Sequence, residues 1–445
     1  MKFNKDKVIS TLAKVSNQRH LNAIRNGMST IIPVVILGSF FTILLNIPND
    51  NFQEWLSPLA DKLAVPMTFS INFMSVFVAF GVAYFLAGEY KKVDQLSTSI
   101  LSVLGFLIAS VNPENISEVA AKAANVSAGT YLPMTSFGAA GLFTAIVVGI
   151  FSVEVVNFFV NRNLVIRLPK GVPPAVINSF VSLIPGIVIV ITAWVLKQGL
   201  GFDINVALQT IFSPIGMFGK DNLASVIIPI LLISVVWLFG IHGMIIATPI
   251  LFPYWYGNLD GNIAAITAGQ AAPHFMTEQF FQWFVWIGGC GTLLSLTILM
   301  AFLGKSKYMS SLGKISLGPL IFNIAEPIVF GVPVILNPIF AIPFVLAPLA
   351  TGVITYFAMG VFHLVNYPIA VPPWVLPAPI GAYLATGFDW RAIVLTLINI
   401  AVGIVIYYPF FVYFDKEQVK KEKEAELKEK ASLSETDEEV QSAVI

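Results

Sequence analysis

Apolar runs long enough to cross a bilayer recur along this chain with almost no charge inside them, and that one feature excludes most folds. A membrane helix needs about 20 apolar residues. Runs of this kind centre on residues 28–47, 73–88, 98–111, 134–160 and 177–196, then on 223–241, 280–302, 338–361 and 390–414. In hydrocarbon every backbone amide needs a partner within the protein, so the expected fold is helical throughout. Composition agrees, because 56% hydrophobic against 11% charged residues leaves too little polar surface for a water-soluble chain of 445 residues. The charge is concentrated, with 16 of the 50 acidic and basic side chains in residues 415–445. Twenty-seven prolines and 32 glycines predict broken helices.

Loop charges set the expected topology. Lys91 and Lys92 follow the second run, and Arg162, Arg167 and Lys170 the fourth, whereas 48–70 and 111–131 lean acidic. The positive-inside rule then puts the N-terminus in the cytoplasm and residue 198 outside. Lys305, Lys307 and Lys314 mark another cytoplasmic loop, and the tail from Asp415 belongs on the same side. Those assignments require one more crossing, in either 204–220 or 243–258. The stretches 315–337, which contains Glu326, and 362–388, rich in proline, read instead as re-entrant hairpins. The expected fold class is an all-α integral membrane protein with about ten transmembrane helices plus two re-entrant hairpins. Its segments are an amphipathic cytoplasmic stretch at 1–27, a half with five crossings at 28–200, a second half with the hairpins at 201–414, and a charged cytoplasmic tail at 415–445. Lys and Glu alternate at helical spacing in that tail, which predicts a solvated helix fading into disorder.

The chemistry must sit among the few polar groups in the apolar tracts. Glu326 is the one formal charge between Lys314 and Asp389, and an ionisable group there is a functional-site candidate by default. Pro327 breaks the helix beside it, and Asn323 lies three residues earlier, on the same face of a helical segment. The competing reading is a structural carboxylate bonded to backbone at a helix end. His242, between Gly240 and Gly243, is the second candidate, with glycines that leave backbone room for a ligand; a histidine bonding a neighbouring helix is the alternative. His274 and His363 fall near expected boundaries, and His20 on the surface. Trp237 and Trp374 fall in segments expected to line a cavity, and Trp, His, Asn and Glu together suit the faces and hydroxyls of a sugar. Interfacial anchoring is the other reading of each tryptophan.

Other chemistry is excluded. Cys290 is the lone cysteine and lies in an apolar run, so neither a disulfide nor a Cys/His metal site is expected. Gly219-Lys220-Asp221 lacks the flanking residues of a phosphate loop, so no nucleotide or other cofactor is expected. Zero net charge gives no field toward nucleic acid.

The block Asn323-Ile324-Ala325-Glu326-Pro327, running on to Pro333-Val334-Ile335-Leu336-Asn337-Pro338, with Gly240-Ile241-His242-Gly243 upstream, resembles enzyme IIC of the phosphoenolpyruvate-dependent sugar phosphotransferase system. It looks like the lactose/cellobiose/diacetylchitobiose branch, over roughly residues 1–414. Members often carry Asn where this chain has Ala325. The resemblance implies that Glu326 and His242 contact the sugar and that Trp374 stacks on it. It further implies a homodimer with a dimerising N-terminal half and a mobile C-terminal half that carries a β-linked disaccharide across. A phosphocysteine on a IIB protein then phosphorylates the 6-hydroxyl. With no cysteine-bearing domain after Phe414, IIB is expected as a separate chain. An ion-coupled sugar transporter would share the broken helices but make free sugar, and a membrane transferase on lipid-linked substrates would want paired acids or a metal cluster.

Overall fold

The structure is a computed structural model describing residues 18–124, 127–169, 173–212, 215–332 and 338–442. Helix dominates. The first half opens with α1 (Arg19–Ser29) and α2 (Ile31–Leu45), followed by α3 (Asp50–Leu56), α4 (Ala60–Ile71), α5 (Met74–Gly88) and α6 (Gln95–Ser110). A short antiparallel hairpin, β1 (Glu114–Ile116) with β2 (Gly129–Tyr131), flanks α7 (Glu118–Ala124). Then come α8 (Leu142–Asn161), α9 (Pro174–Val181), α10 (Leu183–Trp194) and α11 (Ile204–Phe212). Helix α5 is the hub, packed against α1, α6 and α8. The crossing with α1 is made by glycine: a Cβ on Gly27 would lie 2.5 Å from the backbone nitrogen of Val82, and one on Gly81 2.9 Å from the carbonyl oxygen of Gly27. Small residues let membrane helices approach this closely.

The second half holds α12 (Leu223–Leu238), α13 (Gly243–Thr267), α14 (Glu278–Phe284), α15 (Leu293–Leu303), α16 (Lys307–Ile321), α17 (Glu326–Gly331), α18 (Pro338–Thr355), α19 (Ala378–Ala385) and α20 (Trp390–Ser442). Starts are fixed by side-chain caps: Asn222, Thr277 and Ser306 accept from the backbone N–H groups of Ser225, Phe280 and Met309.

Among the described residues, five helical stretches are long and apolar enough to cross a membrane, with four shorter apolar helices beside them. Several expectations need correction. The run 280–302 is not one crossing: α14 ends at Phe284, and Gly288, Gly289, Gly291 and Thr292 all take positive φ before α15 begins. The broken backbone is satisfied by side chains from another helix and from the turn itself, since Tyr407 donates to the carbonyl of Gly291 at 2.7 Å and Thr292 to that of Val285 at 2.8 Å. The supposed loop 48–70 is helical, as α3 and α4, and α4 packs on α2. Of the two candidates for the extra crossing, 243–258 belongs to the 25-residue α13, about 37 Å long, whereas α11 has nine residues. Residues 19–27 are not a separate surface segment, because Ala23 and Gly27 are buried in the bundle; residues 1–17 lie outside the described residues. The tail does not fade after Asp415: α20 runs unbroken for 53 residues to Ser442. At about 1.5 Å per residue it far exceeds the ~30 Å hydrocarbon core.

Both suspected hairpin segments contain breaks in the helix. The first reverses at 322–325 between α16 and α17, with 333–337 outside the described residues. The second runs without helix from 363 to 377 into α19.

Candidate functional site

Four backbone breaks, at 239–242, 285–292, 322–325 and 363–377, meet around one cavity of about 510 Å³, within the range of roughly 300–1,000 Å³ typical of small-molecule sites. Its wall includes all five residues singled out above: Trp237, His242, Asn323, Glu326 and Trp374.

His242 stands at the start of α13, after a turn in which Gly240 takes φ 81°. Its ring lies 4.5 Å from that of Trp237, centroid to centroid. The neighbouring glycine serves packing rather than the ligand, which corrects the expectation: a Cβ on Gly243 would sit 2.4 Å from the carbonyl oxygen of Ile233. Only glycine lets α13 start against α12 and so aim His242 inward.

Asn323 is buried at φ 63° and its amide is committed to backbone. Its Oδ1 accepts from the N–H of Gly288 at 3.0 Å, and its Nδ2 donates to the carbonyls of Trp374 at 2.8 Å and Leu376 at 3.0 Å. One side chain therefore ties the glycine turn after α14, the reversal before α17 and the proline-rich segment together. That arrangement suits a positioning residue rather than the direct sugar contact expected from its type. Asn at positive φ is tolerated where β-branched or bulky residues are not.

Glu326 begins α17 with Pro327 behind it, exposed to the cavity. Among the described residues its carboxylate takes part in no hydrogen bond or ion pair, unlike the structural carboxylate of the competing reading. Trp374 is 49% exposed, leaving a ring face open.

The structure adds groups the sequence reading passed over. Arg25 and Glu278 also line the cavity; Arg25 bonds Asn26 Oδ1 at 3.0 Å, and Glu278 accepts from Gln279 at 2.6 Å. Each sits beside an apolar run, where a charge reads as a boundary marker. Trp283 and Trp286 line it too, as does half-buried Cys290, which faces the cavity from the glycine turn rather than lying in lipid. The remaining histidines serve elsewhere: His20 pairs with Glu154 at 2.9 Å, His274 with Asp221 at 2.7 Å, and His363 contacts Tyr367. No His/Cys/Asp/Glu group suited to a metal occurs among the described residues.

The family described as "Phosphotransferase system, EIIC" matches residues 25–348. The chain belongs to that family. This EIIC chain is 38% identical over 437 residues to the lichenan permease IIC component of Bacillus subtilis (strain 168), covering 95% of each. It is 36% identical over 430 residues to the cellobiose-specific EIIC component of Geobacillus stearothermophilus, covering 94% of each. Among solved structures, the crystal structure of the transporter ChbC, the IIC component from the N,N'-diacetylchitobiose-specific phosphotransferase system, superposes with a TM-score of 0.86. Identity there is 33%, over 95% of this chain and 99% of that one. The EIIC chain is thus a multi-pass membrane permease component of a sugar phosphotransferase system, and such components work with a IIB partner.

Proposed function

We propose that the cavity binds a β-linked disaccharide of the cellobiose class and presents its 6-hydroxyl to the phosphocysteine of a IIB protein. The observation that carries this reading is the convergence of His242, Glu326 and Trp374 from three separate backbone breaks on one cavity of disaccharide scale. Trp374 offers an apolar face for stacking, while His242 and Glu326 take hydroxyls. Asn323 holds the carbonyl of Trp374 and so sets the ring.

In the transfer, the sugar O6 attacks phosphorus, the phosphorus–sulfur bond breaks, the cysteine leaves as thiolate, and the hydroxyl proton passes to Glu326. Such transfers rely on positioning and charge stabilisation. Arg25 supplies a guanidinium in the same cavity, suited to the incoming phosphoryl oxygens.

Residues 201–414 act as the carrying half and 28–200 as the scaffold through which two copies pair; the exposed side chains Leu183, Ile187 and Ile191 of α10 offer an apolar stripe for such a contact. Most of the loop expected at 304–314 is the start of α16, and a shared cytoplasmic face for the remaining 304–306 turn and the tail is supported by Asp415, which accepts from the N–H groups of Lys305 and Ser306 at 2.9 and 3.0 Å.

The test is the product. Vesicles holding the purified protein and given labelled cellobiose should accumulate cellobiose 6-phosphate only when phosphorylated IIB is enclosed. Free cellobiose, accumulated at the same rate without IIB, would overturn the reading in favour of ion coupling.

A further inference from the structure

A second cavity, of about 530 Å³, lies at the opposite end of the elements that line the first. Three of them touch both. Helix α2 offers Ile32 and Ile36 to the first cavity, and Asn46, just past its end, to the second; Ile36 and Asn46 are about 15 Å apart along the helix. Helix α13 offers Thr248, Phe252 and Tyr256 to the first and Ile266 to the second. The non-helical 363–377 segment runs from His363 and Tyr367 at the second to Val371 and Trp374 at the first.

Between the cavities stands a partition. Ile369, Ala370 and Val371 are buried. The N–H of Val371 donates to Ser39 Oγ of α2 at 2.9 Å, and that of Ile369 to the carbonyl of Ala385 at 2.7 Å. Asn262 of α13, fully buried, donates to the carbonyls of Pro368 at 2.7 Å and His274 at 2.6 Å. The partition is held by side chains of α2 and α13 and by the Ala385 carbonyl of α19, and it is all that this segment places between the two cavities.

The second cavity has a saccharide-binding character of its own. His363, at φ 49°, holds its Nδ1 3.0 Å from the hydroxyl of Tyr367, leaving Nε2 without a protein partner among the described residues. Asn46 uses its Nδ2 on the carbonyl of Thr42, and Asn366 its Oδ1 on Arg391; the other half of each amide has no partner among the described residues. An imidazole, the phenol of Tyr367 and two half-spent amides suit hydroxyls better than an ion or a lipid chain.

We propose that this outer cavity is a second saccharide subsite, which takes the disaccharide on the face away from the charged tail before the inner cavity receives it. The proposal rests on the disaccharide reading above. Its test separates the two faces. In right-side-out vesicles, the double variant His363→Asn, Tyr367→Phe should raise the KM for cellobiose uptake about tenfold, the scale of one or two lost hydrogen bonds. Phosphorylation of cellobiose by phosphorylated IIB in detergent, where the inner cavity is reached directly, should keep its KM. An unchanged uptake KM, or an equal rise in both assays, would overturn the proposal. A second measurement is independent of phosphoryl transfer. With Cys290→Ala and Glu326→Ala to remove the native thiol and cripple the inner site, Ala271→Cys at the outer cavity is labelled by a membrane-impermeant thiol reagent. Slower labelling with cellobiose supports the subsite, even if no sugar phosphate is ever formed; labelling indifferent to cellobiose refutes it.

Discussion

Replacing Asn323 by glycine should unfasten the site without touching a sugar-binding group. The glycine tolerates φ 63° at no steric cost. The variant therefore isolates the three hydrogen bonds to Gly288, Trp374 and Leu376. At about 1 kcal/mol each they sum to about 3 kcal/mol, and more where a freed backbone group stays dry. Asn323→Ala loses the same bonds and adds about 1 kcal/mol for left-handed backbone. The expected order of thermal stability in detergent, followed by tryptophan fluorescence, is wild type, then Gly, then Ala. Cellobiose affinity should fall in both variants, because the carbonyl anchoring Trp374 is released. Wild-type melting and wild-type affinity in Asn323→Gly would refute the clamp.

Trp374→Ala should weaken cellobiose binding by about 1–3 kcal/mol while leaving the melting temperature near wild type, since the ring is half exposed; isothermal titration checks it. Gly243→Ala forces a Cβ to within 2.4 Å of the Ile233 carbonyl oxygen, so both melting temperature and sugar affinity should drop as His242 is displaced. Asp415→Asn should destabilise the start of α16, because the carboxylate takes two backbone N–H groups at the end of that loop. By contrast Lys307→Ala removes an ion pair whose partners are 81% and 54% exposed and should move the melting temperature little, the usual outcome for a surface pair.

Part of the cavity lining was legible because apolar tracts make polar residues conspicuous. Glu326 and His242 stood out as isolated anomalies, and hydropathy alone brought them forward. Arg25 and Glu278 are ionisable groups in the same cavity but flank the runs, where charge is expected. The type of Asn323 was readable, but its use was not, since its three partners lie 35 to 53 residues away. The break inside 280–302 stayed hidden because glycine is common in unbroken membrane helices, and only the backbone reveals that three of them turn left-handed. Helices α3 and α4 escaped notice because Asp50, Glu54, Asp61 and Lys62 make two short helices read as a loop. The family pattern reached further than composition did, supplying the direction of transport and the phosphoryl donor, which no spacing of residues in this chain encodes.

The most direct test of the central claim measures two properties of one purified variant, Glu326→Gln, which keeps size and hydrogen bonding but loses basicity. Equilibrium cellobiose binding should stay within about tenfold of wild type, while single-turnover phosphorylation by phosphorylated IIB should slow by about a hundredfold or more. Wild-type values for both would make Glu326 a structural residue and contradict the site described here.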